Sequence, residues 1–264
     1  PHSSSPKHSM QLKFKNEYGL KRLHYPLFSD APVHEVEHVV LRAQGSRSWS
    51  DFRQPDIEQA QYLHDSWARD TRRDMGTTDG HATYVHLYLN GLYWGLYNPV
   101  ERTDEGFAEI YYGGDKTNYD VITRRFTAEA DTGDLAAWNA MMSIVNAGLA
   151  TPQAYAQVQQ YLDVDDFIDY MMLHQYASNH DGPTSNGNNM RAIRRRVPGG
   201  PFRFYVWDME YTMWYAQEYN LSVDLDECPA RIFQKLRENP EFRLRYADHA
   251  QRHLFNHGAL TPSA

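Results

Sequence analysis

Apolar and polar positions alternate early in the chain. Met10, Leu12 and Phe14 interleave with Gln11, Lys13 and Lys15, which predicts a half-buried strand over residues 9–15. A loop rich in Tyr and Pro follows, and the apolar run 36–43 predicts a second strand. Asp56, with Gln59 three residues on, has the form of a capping box that starts a helix. That helix is expected to run to Met75 and stop at Gly76. The clearest local signal is the pair of runs 83–89 and 92–97, split by Asn90-Gly91. Asn-Gly tolerates the left-handed conformations that a two-residue hairpin turn requires. Pro99-Val100-Glu101 is expected to lead out of the hairpin into a short helix near 104–111.

From about residue 113 the pattern changes. Residues 128–178 read as mostly helical, with Thr151-Pro152 starting one segment and Asp163 capping another that runs through Ser178. Val164, Phe167, Ile168, Met171 and Met172 fall at helical spacing and give that segment an apolar face. A stretch of turn-formers, 179–189, leads into two strand-like arms, 190–196 and 202–207, joined by Val197-Pro198-Gly199-Gly200-Pro201. After a polar stretch at 216–227, residues 231–238 and 240–255 read as helices, the second with Asn239 as cap and Pro240 at its first position. The expected class is α+β: a strand-rich part over 1–112, then a mainly helical part over 113–264 carrying an inserted β-hairpin.

Composition narrows the function. A chain of 264 residues can bury a real core, and no run approaches the ~20 apolar residues of a membrane span. A formal charge of −8 argues against a dedicated nucleic-acid binder, whose footprint would be basic. The single cysteine, Cys228, excludes an internal disulfide and leaves the compartment open. Both ends read as cuts inside a longer, multidomain chain.

Candidate chemistry concentrates in 179–208. Asp181 opens a loop carrying Asn186, Asn188 and Asn189, and Asp208 ends an aromatic run that reads as a strand buried on both faces. An acid, an asparagine and a second acid returned by a hairpin is how phosphoryl-transfer sites hold a base and divalent metals together. The carboxylate accepts the proton of the substrate hydroxyl, and the amide oxygen coordinates metal without adding charge. Asn186 stands five residues after Asp181, the spacing of a kinase catalytic loop, although Asp-Gly-Pro is also simply a turn. Glu210 is a further possible ligand. Arg191, Arg194, Arg195 and Arg196 read as a solvated strand edge, with steering of a phosphate as the other reading. His249, His253 and His257 recur every four residues; a zinc site would want a carboxylate partner, and they read as a solvated face near a helix C-terminus. His180 is placed to orient Asp181, and His174 reads equally well as structural. There is no Walker A segment, no Gly-x-Gly-x-x-Gly, and no nucleophile pattern around Ser48 or Ser50.

Taken together, these segments resemble the CotH kinase family, atypical protein kinases similar to spore coat protein H. The likeness is carried by Pro6-Lys7-His8-Ser9-Met10-Gln11-Leu12-Lys13-Phe14, Tyr25-Pro26-Leu27-Phe28, the helix ending Ala68-Arg69-Asp70-Thr71-Arg72-Arg73-Asp74-Met75-Gly76, and above all Leu87-Tyr88-Leu89-Asn90-Gly91-Leu92-Tyr93-Trp94-Gly95-Leu96-Tyr97 leading to Val100-Glu101. Asn188-Asn189 and Trp207-Asp208-Met209-Glu210 extend it over nearly the whole chain.

The resemblance implies a two-lobed kinase-like fold that transfers the γ-phosphoryl group of ATP to Ser or Thr of a protein, with Mg²⁺ or Mn²⁺. It implies Asp181 as base and Asp208 as metal ligand. For the metal-binding asparagine, Asn189 fits by strand register and Asn186 by distance from Asp181. Lys7 is the implied phosphate-contacting lysine, with Lys13 as alternative. Glu101 would lie at the hinge bordering the adenine, and Asp65, Asp70 and Glu58 are all candidates to pair with the lysine. The family's Arg-Gly-x-Ser-type loop, expected upstream of the lysine, is not among these residues. The resemblance favours a secreted or cell-surface protein, with the cytoplasm left open. Two rival readings are a catalytically idle binding module of the same fold and a metal-dependent hydrolase using Asp181, Asp208 and Glu210.

Overall fold

The structure is a computed structural model that describes residues 7–44, 58, 60–124, 127–185, 187–213 and 229–262. Strand β1 (Met10–Lys13) falls where the alternation predicts it. A two-residue pair follows, β2 (Leu23–His24) with β3 (Glu35–Val36), and then β4 (His38–Arg42). Helix α1 (His64–Asp74) leads to the hairpin of β5 (Val85–Leu89) and β6 (Leu92–Glu101). Asn90 and Gly91 both take positive φ, 51° and 79°, as the tight turn demands. The strands form a sheet in the order β1-β4-β6-β5, with antiparallel neighbours throughout.

Two expectations change here. Residues 99–101 do not leave the hairpin: they complete β6, with Pro99 opposite Leu41 and Glu101 opposite Val39. The first half of β6 is exposed and the second half buried, because only the second half lies beside β4. The proposed capping box at Asp56 and Gln59 lies outside the described residues; the described helix begins at His64.

Helix α2 (Glu105–Tyr112) is capped by Asp104, which accepts from Gly106 N (3.0 Å) and Phe107 N (3.2 Å). The next two elements are strands, β7 (Tyr119–Arg124) and β8 (Ala128–Thr132), where helix was expected from residue 128. Three helices follow: α3 (Ala136–Ala147), α4 (Pro152–Val158) and α5 (Val164–Tyr176). Thr151 and Asp163 cap the last two through Ala154 N and Asp166 N, as read from the sequence. The expected arms are β9 (Met190–Arg195) and β10 (Arg203–Tyr205), and helices α6 (Ala230–Leu236) and α7 (Pro240–Leu254) close the chain. The arms are not an isolated hairpin. They join the earlier pair in a second antiparallel sheet, ordered β10-β9-β7-β8. The described residues are thus a mixture of antiparallel sheets and seven α-helices.

Helix α5 lies at the centre of the main core, with Phe167, Ile168, Met171 and Leu173 fully buried. Phe204 of β10 packs against Phe167 (centroids 5.0 Å) and Tyr170 (5.2 Å), and Phe202 meets Trp138 of α3 edge-on at 5.4 Å. Each such buried ring contributes about 1.5–3 kcal/mol. On the other face of β10, Tyr205 packs on Phe107 and shares a hydrogen bond with the Tyr112 hydroxyl (2.8 Å). Both faces are therefore covered, as the aromatic run predicts, but the strand ends at Tyr205 and Trp207 lies beyond it.

Candidate active site

Beyond β10 the chain is clamped by two buried acids. Val206 N donates to Asp79 (3.0 Å) and Met209 N to Asp65 (3.2 Å). Between them Asp208 adopts a left-handed backbone (φ 59°, ψ 55°) and starts a single 3-10 turn, Met209–Tyr211. Asp tolerates this conformation better than most residues, and such backbones cluster at functional sites.

Asp65, in the first turn of α1, is wholly buried. Its Oδ2 accepts from Arg69 Nε at 2.8 Å and its Oδ1 from Arg42 Nη1 at 3.3 Å. Burial alone would push this carboxyl up, but Arg42, Arg69 and the Met209 N–H outweigh it and hold the group at about 2. Arg42 comes from β4 and reaches further. Its Nη2 donates to Asp208 Oδ1 at 2.6 Å and pairs closely with Glu210 Oε1. One guanidinium thus ties β4, α1 and the segment 208–210 together. Burial opposes its charge, and Asp65 and Asp208 more than restore it. The Asp208 side chain remains 46% exposed. Glu210 Oε2 is buried without a hydrogen-bond partner among the described residues.

The Asp181 loop lies against this segment. His180 N donates to Tyr211 O (2.8 Å) and Met213 N to Ala177 O (2.7 Å). Asn188 Nδ2 donates to Asp181 Oδ1 (3.1 Å), and Asn189 Nδ2 donates to Asp181 O (2.7 Å) and Oδ2 (3.1 Å). With its amide nitrogen so engaged, Asn189 keeps its Oδ1 for another partner. Asn186 lies outside the described residues. Asn179 orients the start of the loop. Its Oδ1 accepts from Asp181 N (3.0 Å), and its Nδ2 faces His174 Nδ1 (3.0 Å) and Met209 Sδ (3.3 Å). An amide donor there makes His174 Nδ1 an acceptor and places the ring proton on Nε2. Burial and the nearby Arg72 hold this imidazole at about 3, so it stays neutral.

The remaining predicted residues are placed elsewhere. Lys7 Nζ donates to the Tyr62 hydroxyl (2.8 Å) and the Leu96 carbonyl, and lies 4.5 Å over the Tyr97 ring. Lys13, at the end of β1, is exposed. The cation that the structure puts between Asp65 and Asp208 is Arg42, with Arg69 also on Asp65. Glu101 is 3% exposed, accepting from His81 N (3.1 Å), His81 Nδ1 (2.9 Å) and the Tyr111 hydroxyl (2.9 Å), so its carboxylate is turned inward. Of the three acids considered for α1, Asp65 joins the cation; Asp70 pairs with Arg73 (2.6 Å) and Glu58 is exposed.

Two surface readings are corrected. β9 lies inside its sheet, between β10 and β7, and Arg191 is buried. Arg194 stands directly opposite Asp120 of β7, which also accepts from Arg196 Nε (2.6 Å). Arg191 and Arg194 are therefore matched across the sheet by Asp131 and Asp120, while Arg195 and Arg196 are exposed as expected. On α7, His253 is buried and His249 half-buried, both turned towards Asp169 of α5 instead of solvent.

Sequence reasoning missed Arg42 and Asn179. The signal for Arg42 was present, as a lone arginine at the end of an apolar strand; Asn179 was passed over as a turn-former.

Asp208, Glu210 and the Asn189 amide oxygen are hard oxygen donors of the kind that bind Mg²⁺, and the unpartnered buried Oε2 of Glu210 is consistent with a cation there. An acid-bearing loop thus lies beside an acid that Arg42 ties to helix α1. The family model described as CotH kinase protein matches residues 2–264, and the chain belongs to that family. A search among curated proteins returns no match.

Proposed function

We propose that this chain is an ATP-dependent protein kinase of the CotH type, two-lobed, transferring the γ-phosphoryl group to Ser or Thr of a protein. The observation that carries the reading is Arg42, which binds Asp65 of α1 and Asp208 at once. Protein kinases require both a cation–acid pair on the first large helix and a correctly held metal-binding Asp. Here the pairing cation is an arginine on β4, and Lys7 and Lys13 stand outside the acid cluster.

Asp208 and Asn189 Oδ1 would hold Mg²⁺, with Glu210 as a further ligand. Bound there, such an ion would supply positive charge against the phosphates of ATP. Asp181, fixed by Asn179, Asn188 and Asn189, would accept the proton of the attacking hydroxyl. Arg42 would keep Asp208 in place and put positive charge near the phosphates.

The test is phosphate incorporation from labelled ATP with Mg²⁺ or Mn²⁺, into the chain itself and into a generic protein acceptor. Asp181→Ala should lower the rate about 10²–10⁴-fold, as loss of a general base does, and Asp208→Asn should abolish metal-dependent transfer. No incorporation and no thermal shift with Mg²⁺·ATP would instead mark a binding module.

A further inference from the structure

Helix α7 carries His249 and His253 four residues apart, so both rings project from one face. That face meets α5 at Asp169. The Asp169 Oδ1 atom is 2.6 Å from His249 Nδ1 and 3.1 Å from His253 Nε2. One ligand atom from each residue lies within 4.8 Å of the other two. Asp169 and His253 are 3% and 2% exposed. Although His253 Nε2 is within ion-pair distance of the carboxylate, it is among the buried atoms that make no hydrogen bond. Two ring nitrogens thus converge on one carboxylate oxygen.

An ion between the three donors would satisfy all of them. We propose that Asp169, His249 and His253 bind a transition-metal dication of the zinc class, which cross-links α5 to α7. Two neutral imidazoles and one carboxylate are a common zinc donor set, with bonds of about 2.0–2.2 Å. Imidazole also selects such ions over Mg²⁺ and Ca²⁺, which prefer all-oxygen sites. An outer contact is already in place. His249 Nε2 is 3.2 Å from Asp165 Oδ1, and Arg245 Nη2 holds that oxygen at 2.6 Å. Carboxylates that steady the far nitrogen of a ligating histidine raise its affinity for metal. His249 is the less buried of the two histidines, its side chain 15% exposed against 2% for His253. This site is distinct from the Asp208 cluster in place and in donor type, so it stands whether or not the chain is a kinase.

The experiment starts from chain stripped with a chelator and dialysed, with excess Mg²⁺ present to occupy oxygen-donor sites. Zn²⁺ is titrated by calorimetry, and Co²⁺ is followed by its visible absorption. The expected result is one Zn²⁺ per chain, Co²⁺ bands typical of nitrogen and carboxylate ligands, and a higher melting temperature. His249→Ala, with folding verified by near-ultraviolet circular dichroism, should weaken binding about 100-fold or more, since even an outer-sphere partner is worth 10–100-fold. Absence of saturable binding, or equal binding by folded His249→Ala, overturns the proposal. Should that variant fail to fold, the Co²⁺ spectrum of the unaltered chain decides, since absent bands overturn the proposal.

Discussion

Arg42 answers three carboxylates with a single guanidinium, and two of the three are buried. Removing one partner of a buried pair is costly because it strands the other charge, so Arg42→Ala should destabilise the chain by about 3–5 kcal/mol. For a chain of this size that is roughly 6–20 °C in Tm. The Asp208 contact adds little, being nearly half exposed; the cost comes chiefly from Glu210, because Asp65 keeps Arg69 as a partner. Arg42→Lys should recover only part of it, because an ammonium cannot address Asp65 and Asp208 through separate nitrogens. Paired thermal melts of the two variants would check this, and equal Tm values would contradict the forked geometry. Much of the acidic side of this cluster was legible. Asp208 stood out because it follows a twice-covered strand, Glu210 was a further possible ligand, and Asp65 was one of three acids left open. The cation was sought at Lys7 because its segment resembles the family's, but Lys7 is folded against Tyr62 and Tyr97. No spacing rule links Arg42 to Asp208, which lies 166 residues away.

Among elements, Asp166 fastens three together. From α5 it accepts Arg72 Nη2 of α1 at 2.8 Å and Phe204 N of β10 at 2.7 Å. Burial pushes its carboxyl up to about 6 while Arg72 pulls against that. Asp166→Ala leaves the fully buried Arg72 without this partner and Phe204 N without an acceptor. Urea unfolding at pH 7.5 should show a loss of about 3–5 kcal/mol, with an unchanged m-value if the native state stays compact. Two helices were readable above all, α5 by its cap and apolar face and α7 by its Asn239 cap and Pro240. Strands β7 and β8 were not. Ala128-Glu129-Ala130-Asp131-Thr132 is rich in helix-favouring residues, and only its pairing with β7 makes it a strand. The same hidden strands misled the reading of the arginines, because Asp120, which pairs with Arg194 and Arg196, comes from the unrecognised β7, and Asp131, which pairs with Arg191, from β8.

For the molecule as a whole, the buried His174 sets an early onset of acid sensitivity. Its native imidazole stays neutral down to about 3, whereas in the unfolded chain it gains a proton near 6.5. Below 6.5 the unfolded state therefore binds the extra proton, and this contribution falls as pH drops, by up to about 1.4 kcal/mol per unit. Asp65 acts later. Its native group is held at about 2, so its contribution is complete above 3.8 and is lost as pH falls through 2. Asp166, and His249 with its raised value, run the opposite way, losing their contributions as pH rises. The difference between the unaltered chain and His174→Gln isolates the effect. Between pH 7 and 5 their unfolding free energies should converge, and a constant gap would contradict the assignment.

Trp207 gives the chain a built-in optical probe. Its ring has the guanidinium carbons of Arg191, Arg69 and Arg42 at 5.0, 5.5 and 5.8 Å, one residue before Asp208. An indole in so strong a local field shifts its emission when the surrounding charge is rearranged. Occupancy of the Asp208 site by a polyanion or a cation would draw on Arg42 and should register as a spectral change against the other five tryptophans. Trp207→Phe should abolish that change. Ligands for the site can then be screened by fluorescence before any substrate is known.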